Sequence, residues 1–548
     1  MSNHQHDMAA TARAWALRLT RQPSVNGTDD EAAFGPWLAK ALSDDKAFGP
    51  QADIWTIPAD PGDGRHSVAL FIPGNGRRTV LLTGHFDTVT IDDYADLRSL
   101  ATDPDRLLQA LQDRLAAKAD TAAELRAKAD FATGDYLPGR GLLDMKAGLA
   151  AGLAIMAHFA SLPDPDGNLL FLAVPDEENA SAGARRAAPA LAAVAAARAI
   201  DLVAAINLDA IADDGDGSAG RAIATGTVGK LLPTAYVVGV PTHGGFPFNG
   251  INAATLIAAI AARLEWATEL TDDSADQPGT PPSLLSLRDG KSGYDVTTPA
   301  TAFACWNVLS HGRAPEDVLD TFDRLCMEAA KGCLADLARR AGKSRLPESR
   351  AAATAPIRQY RYDDILAAAT AQSPDLAKAL DALGAELAAS GLPLPEQCRR
   401  MTERVWQESR LSGPAIVTGF GSIPYLSTRL SSTPNARQLD AVVRAVAAAS
   451  PERYGVQVAC TDYFAGISDM SFFGEASEAA LDIVGRNTPV WKHAMDWPED
   501  GALGLIPIVN AGPWGRDYHT PLERLHCGYA FDLLPRLLAD IVHGVLAT

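Results

Sequence analysis

Residues 78–89 read RTVLLTGHFDTV, a short apolar run that ends in glycine and is followed by a histidine and an aspartate. An unbroken apolar run of this length is typical of a strand that is buried on both faces, as in a parallel sheet. Two further segments have the same form, NLLFLAVPDEE at 168–178 and DLVAAINLDA at 201–210. Because helical patterns separate the three strands, we predict an α/β fold with a mostly parallel central sheet.

Further along the chain the order of elements changes. Strand, helix, strand, strand and helix patterns follow one another at 233–240, 250–270, 283–290, 299–310 and 314–338. This order predicts a small α+β sandwich inserted into the larger domain, and α/β character returns with the strand pattern at 414–420. The predicted segments are a main domain at 1–226 and 341–548, an inserted domain at 227–340, and helical insertions at about 92–130 and 342–412.

The charge balance limits the classes of partner. The chain has 548 residues, with 67 acidic against 48 basic side chains and a formal net charge of -19. A surface this acidic repels phosphate backbones and anionic lipid headgroups. We therefore expect neither a nucleic acid nor a membrane as a partner.

The cysteines and the N-terminal segment bear on the compartment. Six cysteines are scattered along the chain, and none lies in a Cys-x-x-Cys pair. In so long a chain this pattern predicts free thiols in a reducing compartment. No secretory signal is visible at the start, and no run approaches the roughly 18 apolar residues of a membrane span. The expected location is the cytoplasm.

Potential metal ligands follow each of the three predicted strands. In an open α/β sheet, ligands collect outside the carboxyl ends of the strands, so side chains at these ends are expected to share one site. A glycine-rich turn at 139–148, GRGLLDMKAG, contributes another aspartate. The resulting candidates are His85, Asp87, Asp144, Glu177, Glu178 and Asp209.

Each candidate has a chemical use and an ordinary structural alternative. Residues two apart in extended chain point to the same side, so Asp87 can orient the His85 ring while the other ring nitrogen binds metal. A surface polar pair is the alternative. Of the adjacent Glu177 and Glu178, one can bind metal and the other can accept a proton from water, or both can lie in a solvated loop. Asp144 has a helix N-cap as its alternative.

A second histidine candidate lies near the C-terminus. His519 follows a Gly/Pro/Trp loop within GPWGRDYHTPLERLH at 512–526. A histidine at a helix start with no ligand role is the alternative interpretation.

Five stretches, in this order, resemble the di-zinc metallopeptidase family M20: TGHFDTV, GRGLLDMKAG, PDEENASAG, NLDA and GRDYHTPLE. The segments VGVPTHGGFPFNGINA and YDVTTP look most like the RocB branch of that family, which is linked to arginine use. The resemblance implies a three-layer catalytic domain of the zinc peptidase type with a phosphorylase/hydrolase-like sheet. It also implies that the inserted domain is a ferredoxin-like lid.

The resemblance implies a role for each candidate. His85 and Asp209 would hold one divalent ion, Glu178 and His519 the other, and Asp144 would bridge the two through a cis peptide to Met145. Asp87 would orient His85, and Glu177 would be the general base and acid. Oxygen and nitrogen ligands without thiolate suit zinc, with cobalt or manganese as the alternatives.

Three further residues and a homodimer follow from the same resemblance. His243 would steady the oxyanion, and in dimeric relatives this histidine reaches the partner subunit's site. Asn252 and Arg288 would hold a substrate carboxylate. Relatives with a single lid pair through it, so a homodimer through the inserted domain is expected.

The leading hypothesis is hydrolysis of an amide in a small peptide or an N-acyl amino acid. A second hypothesis is a non-catalytic, metal-dependent binding or regulatory protein on the same fold. A third is a serine hydrolase, although the nearest segment to a Gly-x-Ser-x-Gly elbow, GFGSIPY at 419–425, lacks the second glycine.

Overall fold

A computed structural model describes residues 2–59, 62, 64–213, 220–273, 278–345, 356–372, 375–464, 466–475, 477–495 and 506–547. The chain forms two compact units, and each is composed of more than one segment. Unit 1 comprises Met1–Thr227, Thr428–Ala476 and Asp500–Thr548, and unit 2 comprises Val228–Ser427 and Ser477–Glu499.

The main sheet of unit 1 has eight strands among the described residues. They are β1 (Asp53–Pro58), β2 (His66–Ile72), β3 (Asn75–His85), β5 (Asp166–Val174), β6 (Asp201–Asn207), β8 (Ala222–Ala224), β17 (Ala459–Thr461) and β18 (Ile508–Asn510). Their order across the sheet is β1-β2-β5-β3-β6-β18-β8-β17. The central strands β5, β3, β6 and β18 run parallel, which confirms the predicted α/β class and brings their carboxyl ends to one edge.

Two smaller sheets complete the strands of unit 1. One consists of β4 (Tyr136–Pro138), β20 (Arg524–His526), β19 (Trp514–Arg516) and β7 (Ile211–Asp213), in that order. The other pairs β9 (Gly226–Thr227) with β16 (Thr428–Arg429). The four-stranded sheet ties the C-terminal segment to the region around residue 140.

The helices of unit 1 lie on both faces of the main sheet, except for two that pack against β4 of the four-stranded sheet. They are α1 (Ser2–Arg21), α2 (Asp29–Asp44), α3 (Pro104–Ala117), α4 (Ala122–Thr133), α5 (Ala147–Ser161), α6 (Ala182–Arg198), α12 (Pro434–Tyr454), α13 (Met470–Phe473) and α15 (Leu534–Leu546). Side chains from α1, α2, α5 and α15 share one apolar core with alternate residues of β2, β3 and β5. Helix α6 contacts β1, β2 and β5 on the other face. The result is the expected three-layer arrangement.

One stretch is long and apolar enough to be compared with a membrane span among the described residues. Leu142–Ser161, which contains α5, has 20 residues and a mean hydropathy of 1.3, but 83% of the apolar window is buried inside the protein. Burial of this kind is typical of a core helix.

Unit 2 is built on a mostly antiparallel sheet. Its strands are β10 (Gly229–Leu231), β11 (Pro233–Val238), β12 (Ser283–Asp289), β13 (Thr301–Ser310), β14 (Arg358–Arg361) and β15 (Ala415–Phe420). Its helices are α7 (Ala253–Leu264), α8 (Pro315–Ala341), α9 (Tyr362–Gln372), α10 (Leu376–Ala388), α11 (Leu394–Ser409) and α14 (Glu478–Arg486). Strands β15, β11, β13 and β12 are successive antiparallel neighbours, and α7 and α8 pack on them, which is the ferredoxin-like arrangement.

The second predicted domain boundary, at residue 341, was wrong. Strand β15, assigned from the sequence to the main domain, pairs along its whole length with β11 of unit 2. Unit 2 therefore continues to Ser427 and also takes in Ser477–Glu499. The ferredoxin-like sheet needs a fourth strand, and the chain supplies it only after the second helical insertion. A long insertion is tolerated because the entropy of loop closure grows slowly with length.

The two predicted helical insertions have different surroundings. Between 92 and 133, the chain forms a short 3₁₀ segment (Asp92–Leu100) followed by α3 and α4, all in unit 1. The insertion at 342–412 lies in unit 2 and contains β14 and α9 to α11, with residues 346–355 outside the described part of the chain.

A substitution at Gly148 tests the close packing of α5 against the segment that follows β6. A Cβ atom at Gly148 would lie 2.0 Å from the carbonyl oxygen of Leu208, a backbone atom that cannot turn aside. We expect Gly148→Ala to destabilise unit 1 by about 1–3 kcal/mol, the usual cost of overpacking, and to lower its Tm in a calorimetric scan. The matched control is Gly332→Ala in α8, where a Cβ meets no atom within 4 Å. There, alanine should stabilise the helix by up to about 1 kcal/mol. Equal effects at the two positions would contradict this account.

Candidate metal centre

The first group of candidate ligands gathers at the carboxyl ends of β3 and β6. Ligand atoms of His85, Asp144 and Asp209 all lie within 4.8 Å of one another. The Nε2 atom of His85 is 3.2 Å from Oδ1 of Asp144 and 3.8 Å from Oδ1 of Asp209. His85 is the last residue of β3, and Asp209 follows β6 by two residues, so adjacent parallel strands bring these two side chains to one place.

The second group shares Asp144 with the first. Ligand atoms of Asp144, Glu178 and His519 also lie within 4.8 Å of one another. The Nε2 atom of His519 is 3.1 Å from Oδ2 of Asp144 and 3.1 Å from Oε1 of Glu178. The Asp144 carboxylate thus presents Oδ1 to one imidazole and Oδ2 to the other. The peptide bond between Asp144 and Met145 is cis.

Asp87 is fully buried and organises both the first histidine and the acidic loop. Its Oδ1 lies 3.5 Å from Nδ1 of His85, on the side of the ring opposite the candidate ligands. The same carboxylate accepts hydrogen bonds from the backbone N–H groups of Glu177 and Glu178, at 3.1 Å each. The backbone carbonyl oxygen of Asp87 is also 3.1 Å from Nδ1 of His85, so this residue orients the imidazole with two oxygens while its carboxylate holds the backbone of both glutamates.

The three consecutive acids at 176–178 point to three different surroundings. Asp176 is buried, has a φ of 70°, and accepts hydrogen bonds from Arg65 at 2.5 Å and from the backbone N–H of Ala182 at 3.0 Å. Oε2 of Glu177 lies 3.9 Å from Nε2 of His85. Glu178 faces His519. Asp176 fastens the turn from which the two glutamates project, so the solvated-loop alternative does not hold here.

Burial and neighbouring negative charges raise the pKa of three carboxylates of the site. Burial raises the pKa of Glu177 well above its ordinary value, and Asp209 and Asp469 raise it further. Burial likewise raises the pKa of Asp209 and that of Glu178. Glu177 is thus surrounded by carboxylates that disfavour its charged form.

The pKa of each of the two imidazoles is also raised, which here favours the charged form of the ring. Burial lowers the pKa of His519, but the Asp144 and Glu178 carboxylates outweigh burial and raise the pKa to about 10. Burial also opposes the shift at His85, where the surrounding carboxylates, Asp144 first, raise the pKa well above its ordinary value. Against burial, the two imidazoles hold the pKa of Asp144 well below its usual range. The negative charge of the clustered carboxylates therefore favours positive charge next to them.

This donor set fits a pair of divalent cations. Three carboxylates and two imidazoles form two groups around one shared carboxylate, with Glu177 beside them. Mixed oxygen and nitrogen donors suit borderline divalent ions, and two such ions would supply the positive charge that the buried carboxylates lack. His85 and Asp209 would hold one ion, Glu178 and His519 the other, and Asp144 both.

The remaining predicted residues lie in unit 2. His243 is exposed, and its Nδ1 accepts a hydrogen bond of 3.0 Å from the backbone N–H of Gly245. Asn252 is the N-cap of α7, and its Oδ1 accepts from the N–H of Ala254 at 2.9 Å. Arg288 on β12 forms an ion pair of 3.0 Å with Glu396. The roles of these three residues stay predictions.

Several residues that support the site were missed in the sequence. Asn510 ends β18, and its amide exchanges hydrogen bonds with the backbone N–H and carbonyl of Asp209. The rule that places functional groups at strand ends would have identified it. Asn26 donates hydrogen bonds to both Asp87 and Asp176. In the sequence, only the loop-like composition around Asn26 stands out, and this composition does not indicate a site. Asp469, whose pKa burial raises to about 7, follows neither a strand nor a glycine-rich turn, so no pattern indicated it.

Comparison with known proteins now identifies the family. A family model described as "Peptidase family M20/M25/M40" matches residues 81–497, which is most of the chain. The chain belongs to this family. The resemblance expected from five short motifs is therefore confirmed, and the protein is a metal-dependent hydrolase.

Relatives over the full length agree with this membership. The uncharacterized protein YqjN of Bacillus subtilis is 29% identical over 537 residues, covering 96% of this chain and 95% of the relative. Protein RocB of the same organism is 28% identical over 544 residues, covering 97% and 94%. These matches fit the RocB branch that the sequence indicated. The fold is shared with a solved tripeptidase from Staphylococcus aureus, with a TM-score of 0.54, 15% identity, and coverage of 98% and 99%.

The shared carboxylate predicts how metal content depends on individual ligands. We expect the wild-type protein to bind two ions of Co²⁺ per chain, and His519→Ala to bind one because only the second group loses a donor. Asp144→Ala should bind neither firmly, because both groups lose the same carboxylate. Elemental analysis after desalting measures this content. His66→Ala is the control, since the Nδ1 atom of His66 is 2.8 Å from the carbonyl of Gly64. An Asp144→Ala protein that retains two ions would contradict the arrangement.

Glu31, which lies next to this cluster, predicts a pH-dependent contribution to stability. Burial, and then the nearby Asp87 charge, raise the pKa of Glu31 from 4.5 to about 7. The folded protein holds the Glu31 proton more tightly than the unfolded chain does. The contribution of protonated Glu31 to the free energy of unfolding is therefore complete below pH 4.5 and is lost as the pH rises through 7. Glu31→Gln should therefore flatten the fall in unfolding free energy over this interval, by on the order of 3 kcal/mol. Denaturant titrations at several pH values measure the slope, and the exposed Glu316→Gln is the control. An unchanged slope in Glu31→Gln would exclude this contribution.

Proposed function

We propose that the protein hydrolyses an amide bond in a small peptide or an N-acyl amino acid, with Glu177 as the general base. The observation that carries the proposal is the Asp144 carboxylate, which faces both imidazoles while the Glu177 carboxylate lies 3.9 Å from the first of them. Two cation positions and a separate, buried proton acceptor are the parts that such a hydrolysis requires.

The residues of this chain divide the work. Two divalent ions held by these ligands would lower the pKa of a water molecule from 15.7 toward roughly 7 and would polarise the substrate carbonyl. Glu177 accepts the proton of the attacking water at its carboxylate and passes it to the leaving nitrogen. Burial raises the pKa of Glu177, which makes its carboxylate a stronger proton acceptor than an exposed glutamate. Asp87 keeps His85 in one orientation and fixes the backbone from which Glu177 projects. Zinc is the proposed metal, with cobalt or manganese as the alternatives.

Three residues of unit 2 complete the proposal. His243 is proposed to stabilise the oxyanion, a contribution often worth roughly 3 kcal/mol in other enzymes. Its exposed position in a loop supports this role because the ring is accessible to a substrate. Arg288 is proposed to hold a substrate carboxylate together with Asn252. The Arg288 side chain is 51% exposed, although it is paired with Glu396.

Two observations support the substrate class and the location. The solved protein with the same fold is, by its name, a tripeptidase. All six cysteines are unpaired, which supports the cytoplasm as the proposed compartment. A place in arginine breakdown, implied by the likeness to RocB, remains a prediction.

A homodimer through unit 2 is also proposed. Among the described residues, β12 pairs only with β13, so its outer edge is open to another strand. This strand also carries Leu285 and Leu287 with exposed fractions of 58% and 43%. An open edge beside exposed leucines supports pairing with a second copy.

The test is an assay of amide cleavage with the metal measured alongside. Wild-type protein loaded with Zn²⁺, Co²⁺ or Mn²⁺ is incubated with a panel of dipeptides, tripeptides and N-acetyl amino acids, and released amines are detected. We expect Glu177→Gln to lose activity by roughly 100- to 10,000-fold while its metal content stays unchanged. A chelator should abolish wild-type activity, and added metal should restore it.

The exposed Glu316→Gln is the control and should keep wild-type activity. Normal rates in Glu177→Gln would remove Glu177 from the mechanism. Full metal content without turnover on any amide would favour the alternative of a non-catalytic binding protein. Labelling by a covalent serine probe would favour the serine hydrolase.

A further inference from the structure

The loop that carries His519 lies against the insertion at residues 92–133. Within unit 1, this insertion contains the 3₁₀ segment Asp92–Leu100 and helices α3 and α4. The loop, residues 516–524, runs from the end of β19 to the start of β20. Ionic contacts connect the two at several points, and none of the side chains that make them is a candidate metal ligand.

Helix α4 makes the first set of contacts. Asp130 accepts hydrogen bonds from Nη1 of Arg516 at 2.7 Å and from Nε of Arg524 at 2.7 Å, so its carboxylate connects the two ends of the loop. The same helix places Nη2 of Arg126 4.0 Å from Oδ1 of Asp517. Arg524 is fully buried and also donates to Oδ2 of Asp517 at 2.6 Å.

The 3₁₀ segment makes the second set of contacts. Asp93 accepts a hydrogen bond from Nη2 of Arg140 at 2.6 Å, and Nη1 of Arg140 donates to Glu523 at 3.0 Å. The other oxygen of Glu523 accepts from the backbone N–H of Leu143 at 3.2 Å. The end of the His519 loop is thus joined to the turn that presents Asp144.

The loop needs such support because of its backbone. Asp517 and His519 have φ values of 55° and 61°, a left-handed conformation that residues other than glycine adopt at a cost in free energy. His519 is also the exposed member of its ligand group, with 41% of its side chain accessible. Its orientation therefore depends on the loop more than on packing around the ring.

We propose that the insertion at 92–133 braces the second cation position, with Asp130 and Asp93 as positioning residues that act on His519 through Arg524, Arg140 and Glu523. This inference rests on the two-cation centre of the proposed function. Within unit 1, the insertion keeps His519 at a fixed distance from Asp144 and Glu178.

The test compares Co²⁺ binding at the two positions in the full-length protein. Metal-free wild type, Asp130→Asn and Asp93→Asn are titrated with Co²⁺ against a chromophoric chelator, and the visible absorption of bound Co²⁺ reports each position. We expect Asp130→Asn to weaken the second position, which is the one that His519→Ala loses, by about 10-fold or more, as loss of an outer partner does at other metal sites, and to leave the first unchanged. Asp93→Asn should weaken the same position.

Two controls separate positioning from folding. Asp113→Asn makes the same change on α3 of the insertion, where the carboxylate contacts Gln109, and it should bind Co²⁺ as the wild type does. Thermal unfolding of the metal-free proteins shows whether Asp130→Asn folds. Should it fail to fold, Asp93→Asn decides the proposal, because its carboxylate is 31% exposed and its partner Arg140 keeps Glu523.

The outcomes are distinct. Wild-type affinity at both positions in the folded variants, or equal weakening of both positions, would overturn the brace. Selective weakening of the second position would support it, and selective weakening of the first would overturn it. A wild type that binds two Co²⁺ ions but cleaves no amide would count against the proposed function, and the comparison of affinities would still decide the brace.

Discussion

The Asp144 carboxylate, with one oxygen toward each imidazole, is the contact on which the site depends. It requires three separate parts of the chain to meet: the end of β3, the turn before α5 and the loop before β20. The meeting also crowds Asp144, Glu177, Glu178 and Asp209 into one buried volume. Two like charges 4 Å apart repel by about 4 kcal/mol at an effective dielectric constant of 20. Divalent cations relieve that repulsion, so ion binding and the stability of this region are linked.

Backbone hydrogen bonds let three adjacent acids serve three purposes. Asp176 turns inward to Arg65 and the start of α6, which leaves Glu177 and Glu178 to project toward different groups. Asp87 accepts from the N–H groups of both glutamates, so the division does not rest on the side chains alone. The proposed general base and a candidate metal ligand are neighbours in sequence, and they face different groups because the loop between β5 and α6 is held from both sides.

Each unit is composed of separate segments of the chain, and strands from these segments pair within one sheet. The ferredoxin-like sheet of unit 2 is completed by β15, which comes after a long helical insertion, and the main sheet of unit 1 takes β17 and β18 from the last hundred residues. The insertion at 92–133 is attached to the His519 loop by ion pairs and not by strand pairing, and buried arginines make these contacts. Such contacts are strong only when every charge has a partner, which is the case for Arg140 with Asp93 and Glu523.

The sequence by itself determined the α/β class, the family and the side chains that meet at the strand ends. These follow from local patterns: apolar runs, glycine-rich turns, and acids or histidines placed directly after strands. Only the tertiary structure decided that β15 belongs to unit 2, that Asp176 is a buried anchor, and that Asn26 and Glu523 support the site. Strand pairing and hydrogen bonds between residues hundreds of positions apart depend on how the chain closes in space, and no local pattern records that closure.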